Sequence, residues 1–431
     1  MTPAERRLIL PIIARHLDPD RVRRKARLLK VLKRAGKVDP YVLLVVVILA
    51  ITVRGPKAIA DLSRTYRRVT GIKLARSSFW SRFNPPFSLL VRWVLDELVS
   101  ASRAEPMRPG GVLAGFVDVI AVDATVIKVD DSLRSVWKGC RTNSAKAAVK
   151  IHAWVRVLTG ELVKYRLTKE AHADCKALRV DASLRGALLL FDRGYASPSL
   201  WRRIDSVGGY FLTRIPAGWN QEITKDNRRH RGRARSLVGL NLKDALDGLH
   251  RQLVDVMVSF SCRVRGYGGG KARKVWHDFR VVAVRHPDGT YHLYATNAPE
   301  RLLPADKIRQ VYRLRWEVET FFKTLKSGSG GNELPSAKRH TVEAFLYAGL
   351  IRASLAMRAR VKSDWEKTRH INPLQWVRWW ATAASQHLSD LLACIVPSLV
   401  DVLELEGWCG ALADPNRARQ VTRLAFTETQ Q

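Results

Sequence analysis

Apolar and polar positions divide the chain into stretches of different period. From residue 1 to about 112 the apolar residues recur at helical spacing. Within this stretch Ile59, Leu62 and Tyr66 share one face of a helix expected over Lys57 to Thr70, and after Gly71 a second short helix is expected over Ala75 to Phe83. The apolar run Tyr41 to Val53 is too short to span a bilayer and too deep in the chain for a secretory signal, so it reads as a buried helix. Between about 113 and 216 the period changes to that of strands. A β-branched run, Phe116 to Val129, is followed by Lys150 to Leu158 and Glu161 to Thr168 around the turn Thr159-Gly160, which predicts a three-stranded meander. Next come a helical stretch near Ala173 to Leu184, an all-apolar strand Ala187 to Phe191, a helix Pro198 to Ile204 and a strand Tyr210 to Ile215. Continuous apolar strands separated by helices imply parallel pairing buried on both faces. The order β-β-β-α-β-α-β is that of a ribonuclease H-like core.

From about 217 to 299 strands return without intervening helices: Leu253 to Cys262, then Trp276 to Arg285 and Tyr291 to Thr296 on either side of Pro287-Asp288-Gly289, a strong hairpin signal. Helical patterning resumes at Pro304 and runs to the end. The expected organisation is therefore a basic helical DNA-binding domain over 1–112, the first part of an α/β ribonuclease H-like mixed sheet over 113–216, a β-rich insertion over 217–299, the second part of the core over 300–365 and a C-terminal helical region over 366–431. In that last region Trp376, Trp379 and Trp380, preceded by Trp365, read as core or as a surface for a partner helix, a candidate for dimerisation.

Charge narrows the partner. The chain carries 74 Lys and Arg against 39 Asp and Glu, a net of +35, far more than a small acidic substrate requires and in keeping with a polyanion. Residues 1 to 112 hold 23 Lys and Arg against 8 Asp and Glu, and the helix pair within them would place Arg76 and Arg82 against DNA, the alternative being a plain basic bundle. The 5 cysteines lie far apart without a C-x-x-C pair, which argues against a disulfide framework or a zinc ribbon and for a cytoplasmic, reducing setting. The histidines show no H-E-x-x-H spacing.

Three acids stand at positions where chemistry is expected. Asp123 lies within an apolar strand, where an unpaired carboxylate costs several kcal/mol and demands a partner; a salt-bridged strand residue is the alternative. Its neighbour Asp118 falls on the opposite face of that strand. Asp192 directly follows Leu188-Leu189-Leu190-Phe191, at the carboxyl end of a buried strand, where open α/β sheets bind ligands; capping the following turn is the alternative. Glu319 belongs to a helix expected over Val311 to Lys326. On it Tyr312, Arg315, Glu319, Lys323 and Lys326 fall within about 80° of one another. A solvated face with the i,i+4 pair Glu319 and Lys323 would explain the charges but not the tyrosine.

The spacing Y-x2-R-x3-E-x6-K of Tyr312, Arg315, Glu319 and Lys326 resembles the signature of the insertion sequence 4 family of DDE transposases. The resemblance extends to Asp192-Arg193-Gly194-Tyr195 and to Val122-Asp123-Ala124-Thr125, in the family's order, with a strand-rich insertion between the second Asp and the Glu, and it covers roughly residues 113 to 360. It implies that Asp123, Asp192 and Glu319 are catalytic and coordinate two Mg²⁺ ions, with Mn²⁺ able to substitute. These ions would activate water to nick the element's end and then activate the 3′-hydroxyl to attack target double-stranded DNA. It further implies that Tyr312, Arg315 and Lys326 hold terminal phosphates, and that a homodimer forms in the synaptic complex of a prokaryotic, nucleoid-associated protein without a membrane partner. Lys323 and Arg193 join the DNA-binding set from position alone. In Tyr291 to Thr296 this chain lacks the Trp on which some members stack a flipped base. Two alternatives share the same residues: a ribonuclease H-like nuclease that does not join strands, and a catalytically inactive, transposase-derived regulator.

Overall fold

The computed structural model describes residues 15–32, 38–50, 59–105, 108–140, 146–227, 236–264, 272–328, 336–362 and 372–386, with residues 11 and 334. The N-terminal part is helical: α1 (Pro19–Leu28), α2 (Pro40–Leu49), α3 (Ile59–Thr70), α4 (Arg76–Trp80) and α5 (Pro85–Ala104). Each of α1, α2 and α5 starts with Pro in its first turn behind an Asp or Asn whose side chain accepts a backbone N–H, Asp18 from Arg21, Asp39 from Tyr41 and Asn84 from Phe87. Helix α2 is apolar all round, and Tyr41 and every residue from Leu43 to Leu49 are buried. This accords with the expectation of an internal helix; residues 51 to 53 of the apolar run lie outside the described residues. Gly71, at φ +71°, supplies the left-handed turn between α3 and α4.

The rest of the chain builds β1 (Asp118–Lys128), β2 (Ala148–Arg156), β3 (Leu162–Lys169), α6 (Asp174–Ala177), β4 (Ala187–Phe191), α7 (Pro198–Ser206), β5 (Tyr210–Arg214), β6 (Ile223–Asp226), α8 (Leu242–Leu246), β7 (Leu253–Val264), β8 (Arg273–Arg285), β9 (Tyr291–Thr296), α9 (Ile308–Arg313), α10 (Trp316–Gly328), α11 (Arg339–Lys362) and α12 (Pro373–Gln386). The nine strands of the described residues form one sheet in the order β3-β2-β1-β4-β5-β9-β8-β7-β6. Strands β1, β4 and β5 are mutually parallel and the remaining pairings are antiparallel. The half β3-β2-β1-β4-β5 is the ribonuclease H-like core that the strand order predicts.

The strands of the 217–299 interval do not form a separate layer. Strand β9 pairs antiparallel with β5, Leu212 opposite Thr296, so the interval widens the same sheet. The β8–β9 hairpin closes through Gly289, at φ +87°, where the sequence places a turn. The stretch near Ala173 to Leu184 contains only the one-turn α6 and a single 3-10 turn, Ala182–Leu184. Its Leu178 and Leu184 are buried beneath the back of the sheet, and anchoring two side chains does not require a long helix.

The two faces of the sheet are buried differently. The front face, carrying Ala121 and Ile151, packs against α2, α5, α10, α11 and α12 in one large apolar cluster. The back face, carrying Val122 and Phe191, packs on α7, whose Trp201 is fully buried and stacks on Phe211 at 5.0 Å. Among the described residues no helix is long and apolar enough to cross a membrane. Cys140, Cys175 and Cys262 are free thiols, while Cys394, Cys409 and Trp365 lie outside the described residues.

Candidate active site

Register brings the first two acids together. Val122 of β1 is level with Phe191 of β4 in the parallel pair, so Asp123 and Asp192, each one residue further along, emerge side by side at the front of the sheet. Asp192 is exposed in the turn after β4 and Asp123 is half-buried. Helix α10 crosses the front face over β1 and β2, burying Val318, Phe321 and Phe322, and this packing delivers Glu319 to the same edge.

The segment leading to Glu319 is not the single helix expected from the sequence. The chain turns at Leu314 and Arg315, between α9 and α10, through i to i+3 hydrogen bonds such as Arg315 N–H to Tyr312 C=O at 3.1 Å. This tighter winding rotates Tyr312 relative to Glu319, so one 100° stripe does not describe the face. Arg315 lies in that turn, its side chain 9% exposed, and its guanidinium reaches Glu319 Oε1 at 2.5 Å and Asp123 Oδ2 at 3.7 Å. Burial opposes its charge, yet Tyr312, Glu319 and Asp192 around it hold its pKa above the usual guanidinium value.

Asp123 is pushed up to about 6, mainly by burial and further by the nearby Asp192 and Glu319 charges, against the Ala124 N–H at 2.8 Å and Arg315. The folded pKa thus lies above the unfolded one. The cost of ionising Asp123 is absent below about pH 4, grows as pH rises toward 6, and is full above it. Asp123→Asn should therefore make the metal-free protein more stable than the parent by up to about 3 kcal/mol above pH 6, with the gain fading toward pH 4. Urea midpoints of both proteins across that range check the sign, and an unchanged difference would refute it.

The remaining candidates border this group. Tyr312 is buried, with its ring edge-on to Tyr294 at 5.2 Å and the Arg315 guanidinium 5.8 Å from its centroid; burial pushes its hydroxyl up to about 12. Lys323 is exposed and lies 5.9 Å from the Trp316 ring, Lys326 is half-buried one turn further along α10, and Arg193 is exposed beside Asp192. Arg76 is exposed on α4, whereas Arg82 is half-buried. Asp118, five residues before Asp123, is engaged elsewhere: Arg156 binds it at 3.0 Å beside the C-terminal end of α5.

Three neighbours were not singled out from the sequence. Tyr195 is buried near Asp174, Asp123 and Asp192, with burial driving its hydroxyl pKa upward; its place in the Asp192-Arg193-Gly194-Tyr195 motif was the available signal. Burial raises the Tyr312 and Tyr294 hydroxyls, and the charge of Arg214, which ends β5, the next parallel strand beyond Asp192, partly opposes that rise. Trp316 is 45% exposed between Arg315 at 5.5 Å and Lys323, with no apolar pattern to mark it as a surface residue.

Hard oxygen donors are what Mg²⁺ requires, and three carboxylates about one guanidinium leave two negative charges for cations to offset. In the arrangement seen, Arg315 holds the space between Asp123 and Glu319, and among the described residues no three Asp, Glu, His or Cys side chains converge closely enough to share one ion. The donor chemistry fits, with the guanidinium standing where positive charge is needed.

Residues 115–355 match the family model described as Transposase DDE domain, which spans β1, β4 and α10 together with the interval between them. The chain belongs to the DDE transposases. The insertion sequence 4 resemblance fits this family. The transposase is 22% identical over 376 residues to the transposase for insertion sequence element IS231E of Bacillus thuringiensis subsp. finitimus, covering 80% of this chain and 78% of that protein. It is 21% identical over 373 residues to the transposase for insertion sequence element IS231F of Bacillus thuringiensis subsp. israelensis, covering 79% and 77%. A solved piggyBac transposase synaptic complex with hairpin DNA aligns with a TM-score of 0.44 and 10% identity, over 96% of this chain and 86% of that one.

Proposed function

We propose that this transposase cuts the ends of its own insertion sequence and joins them to target DNA, with Asp123, Asp192 and Glu319 as the metal-binding carboxylates. The observation that carries this reading is the gathering of acids from β1, the end of β4 and α10 around one buried guanidinium, although they lie far apart in sequence. Two Mg²⁺ ions, or Mn²⁺ in their place, would when bound supply the positive charge that stabilises attacking and leaving oxygens of the phosphodiester.

The residues of the chain do the rest. Asp123 and Glu319 face each other across Arg315, and Asp192 closes the group from the solvent side, where DNA can enter. Arg315 and Lys326, with the Tyr312 hydroxyl, hold the phosphates of the element's end, and Lys323 and Arg193 add charge at the rim. The apolar cover of α10 over β1 keeps the carboxylates fixed relative to the sheet. The basic helices of 1–112 supply further phosphate contacts, and the region 366–431 joins two copies when two ends are brought together. Such a protein works in the prokaryotic cytoplasm at the nucleoid.

The test is joining. A duplex bearing the element's terminal repeat and a labelled 3′-hydroxyl should become covalently attached to a target plasmid in Mg²⁺, read by gel mobility. Nicks without joined product would assign a nuclease, and binding without nicks would assign a regulator. Affinity should fall steeply with salt while a preference for the cognate termini persists.

A further inference from the structure

We infer that the part of the front sheet face around Trp276 is a second DNA-contacting surface, which grips the element's duplex about 7 base pairs from the reacting bond. The inference rests on the transposase reading and names where a distant stretch of its substrate lies.

Pairing defines the face. Opposite residues in neighbouring strands project to the same side, so the chain of partners Arg214 with Tyr294, Tyr294 with Val282 and Val282 with Asp255 carries the front face from the core outward to β8 and β7. Six residues earlier along β8 the same side presents Trp276, opposite Ser261, and Lys274, opposite Arg263. Trp276 is 64% exposed, with the Lys274 ammonium 4.7 Å from its ring, and Ser261, Arg263 and Lys274 are exposed with it. The opposite side of the same hairpin is the reverse: Phe260, Cys262 and Phe279 are buried, and both Phe rings pack edge-on against Trp201 at 5.4 Å. The strands are therefore held firmly from behind while an indole and two cations face solvent.

An exposed indole under an ammonium, with a second cation on the next strand, suits a ligand that offers both flat surfaces and phosphates. The net charge of +35 selects DNA over an acidic protein of limited size. The acids on this face are engaged: Asp255 is bound by Arg280 at 2.6 Å, and Asp278 accepts from the Thr224 hydroxyl at 2.8 Å.

Distance sets the contact's place on the duplex. Val282 is level with Arg214 and hence with the end of β4, so Trp276 lies about 20 Å back along the strand direction and about 14 Å across three strand spacings from Asp192. The separation of about 25 Å corresponds to about 7 base pairs of duplex. It places Trp276 too far away to stack a base at the reacting bond.

The experiment is hydroxyl-radical footprinting and salt titration of the full chain on duplexes bearing the terminal repeat, comparing the parent with Trp276→Ala, Trp276→Phe and the double variant Lys274→Glu with Arg263→Glu. Trp276→Ala should lose protection 6 to 8 base pairs from the cleaved end while keeping it at the terminus, and should bind about tenfold more weakly; Trp276→Phe should retain most of both. The charge variant should lower the slope of log affinity against log salt by about 2. On a duplex ending about 5 base pairs from the reacting bond, parent and variants should bind alike. Parent-like footprints and slopes in all variants would overturn the inference, as would a change in sedimentation with an unchanged footprint, which would assign the face to protein contact. If the parent itself fails to bind the repeat, the transposase reading fails instead.

Discussion

Asp192→Asn and Glu319→Gln each lower metal-dependent nicking of the element's ends by about 10³ or more and leave affinity for those ends within a few-fold. The expectation follows from how the carboxylates are held. Glu319 accepts from the Arg315 guanidinium at 2.5 Å, and the Gln side chain keeps an oxygen that accepts the same bond. Asp192 is exposed and its side chain caps no helix, so Asn changes its charge with little effect on packing. What each variant removes is one of the negative charges that offset divalent cations. The measurement is single-turnover nicking of a supercoiled plasmid carrying the ends, beside a binding titration in calcium, with circular dichroism to confirm the fold. Nicking that persists at the parent's rate in either variant would exclude these acids from the reaction. Asp131→Asn is the control, because Asp131 is exposed and belongs neither to this group nor to a buried network.

Arg156→Ala destabilises the protein by about 3 to 5 kcal/mol, the second large effect. Arg156 is 2% exposed at the seam between the helical N-terminal part and the sheet. Its guanidinium donates to Asp118 at 3.0 Å and Glu161 at 3.2 Å and to the backbone carbonyl of Ser102 at 3.0 Å. Arg358 of α11 completes the group, 2.9 Å from Glu161. Burial pushes the Asp118 carboxyl up while Arg156 pulls it back down, so removing the arginine strands a buried carboxylate. The urea midpoint should fall accordingly. Replacing Arg92, whose pair with Asp96 at 3.6 Å is about half exposed on both sides, should shift stability by no more than about 0.5 kcal/mol. Equal effects at the two positions would show that the buried network does not hold the seam.

Much of the core was legible because its strands are short apolar runs bounded by turn residues. Ala187 to Phe191 and Tyr291 to Thr296 coincide with strands in the structure, and Thr159-Gly160 and Pro287-Asp288-Gly289 mark real reversals. The helix over Val311 to Lys326 was legible as apolar periodicity but not as two pieces. A turn of i to i+3 bonds at Leu314 and Arg315 leaves the spacing of apolar residues almost unchanged while it redirects the polar side chains. The stretch near Ala173 to Leu184 had helical composition, yet two anchoring leucines sufficed to dock it.

The chain's order of residues by itself determined where the acids stand along the sequence, that Asp123 lies within a buried strand and Asp192 directly follows one, and that the molecule's charge calls for a polyanion. Those are local properties, set by side-chain chemistry and by the periodicity of each element. Only the tertiary structure decided that β9 pairs with β5 and extends the core sheet, that Arg315 inserts between Asp123 and Glu319, and that Trp276 is left bare on the face whose far end carries the acids. Strand register and helix docking set these arrangements, and both depend on which distant surfaces fit and bury together, a quantity no local window of sequence contains.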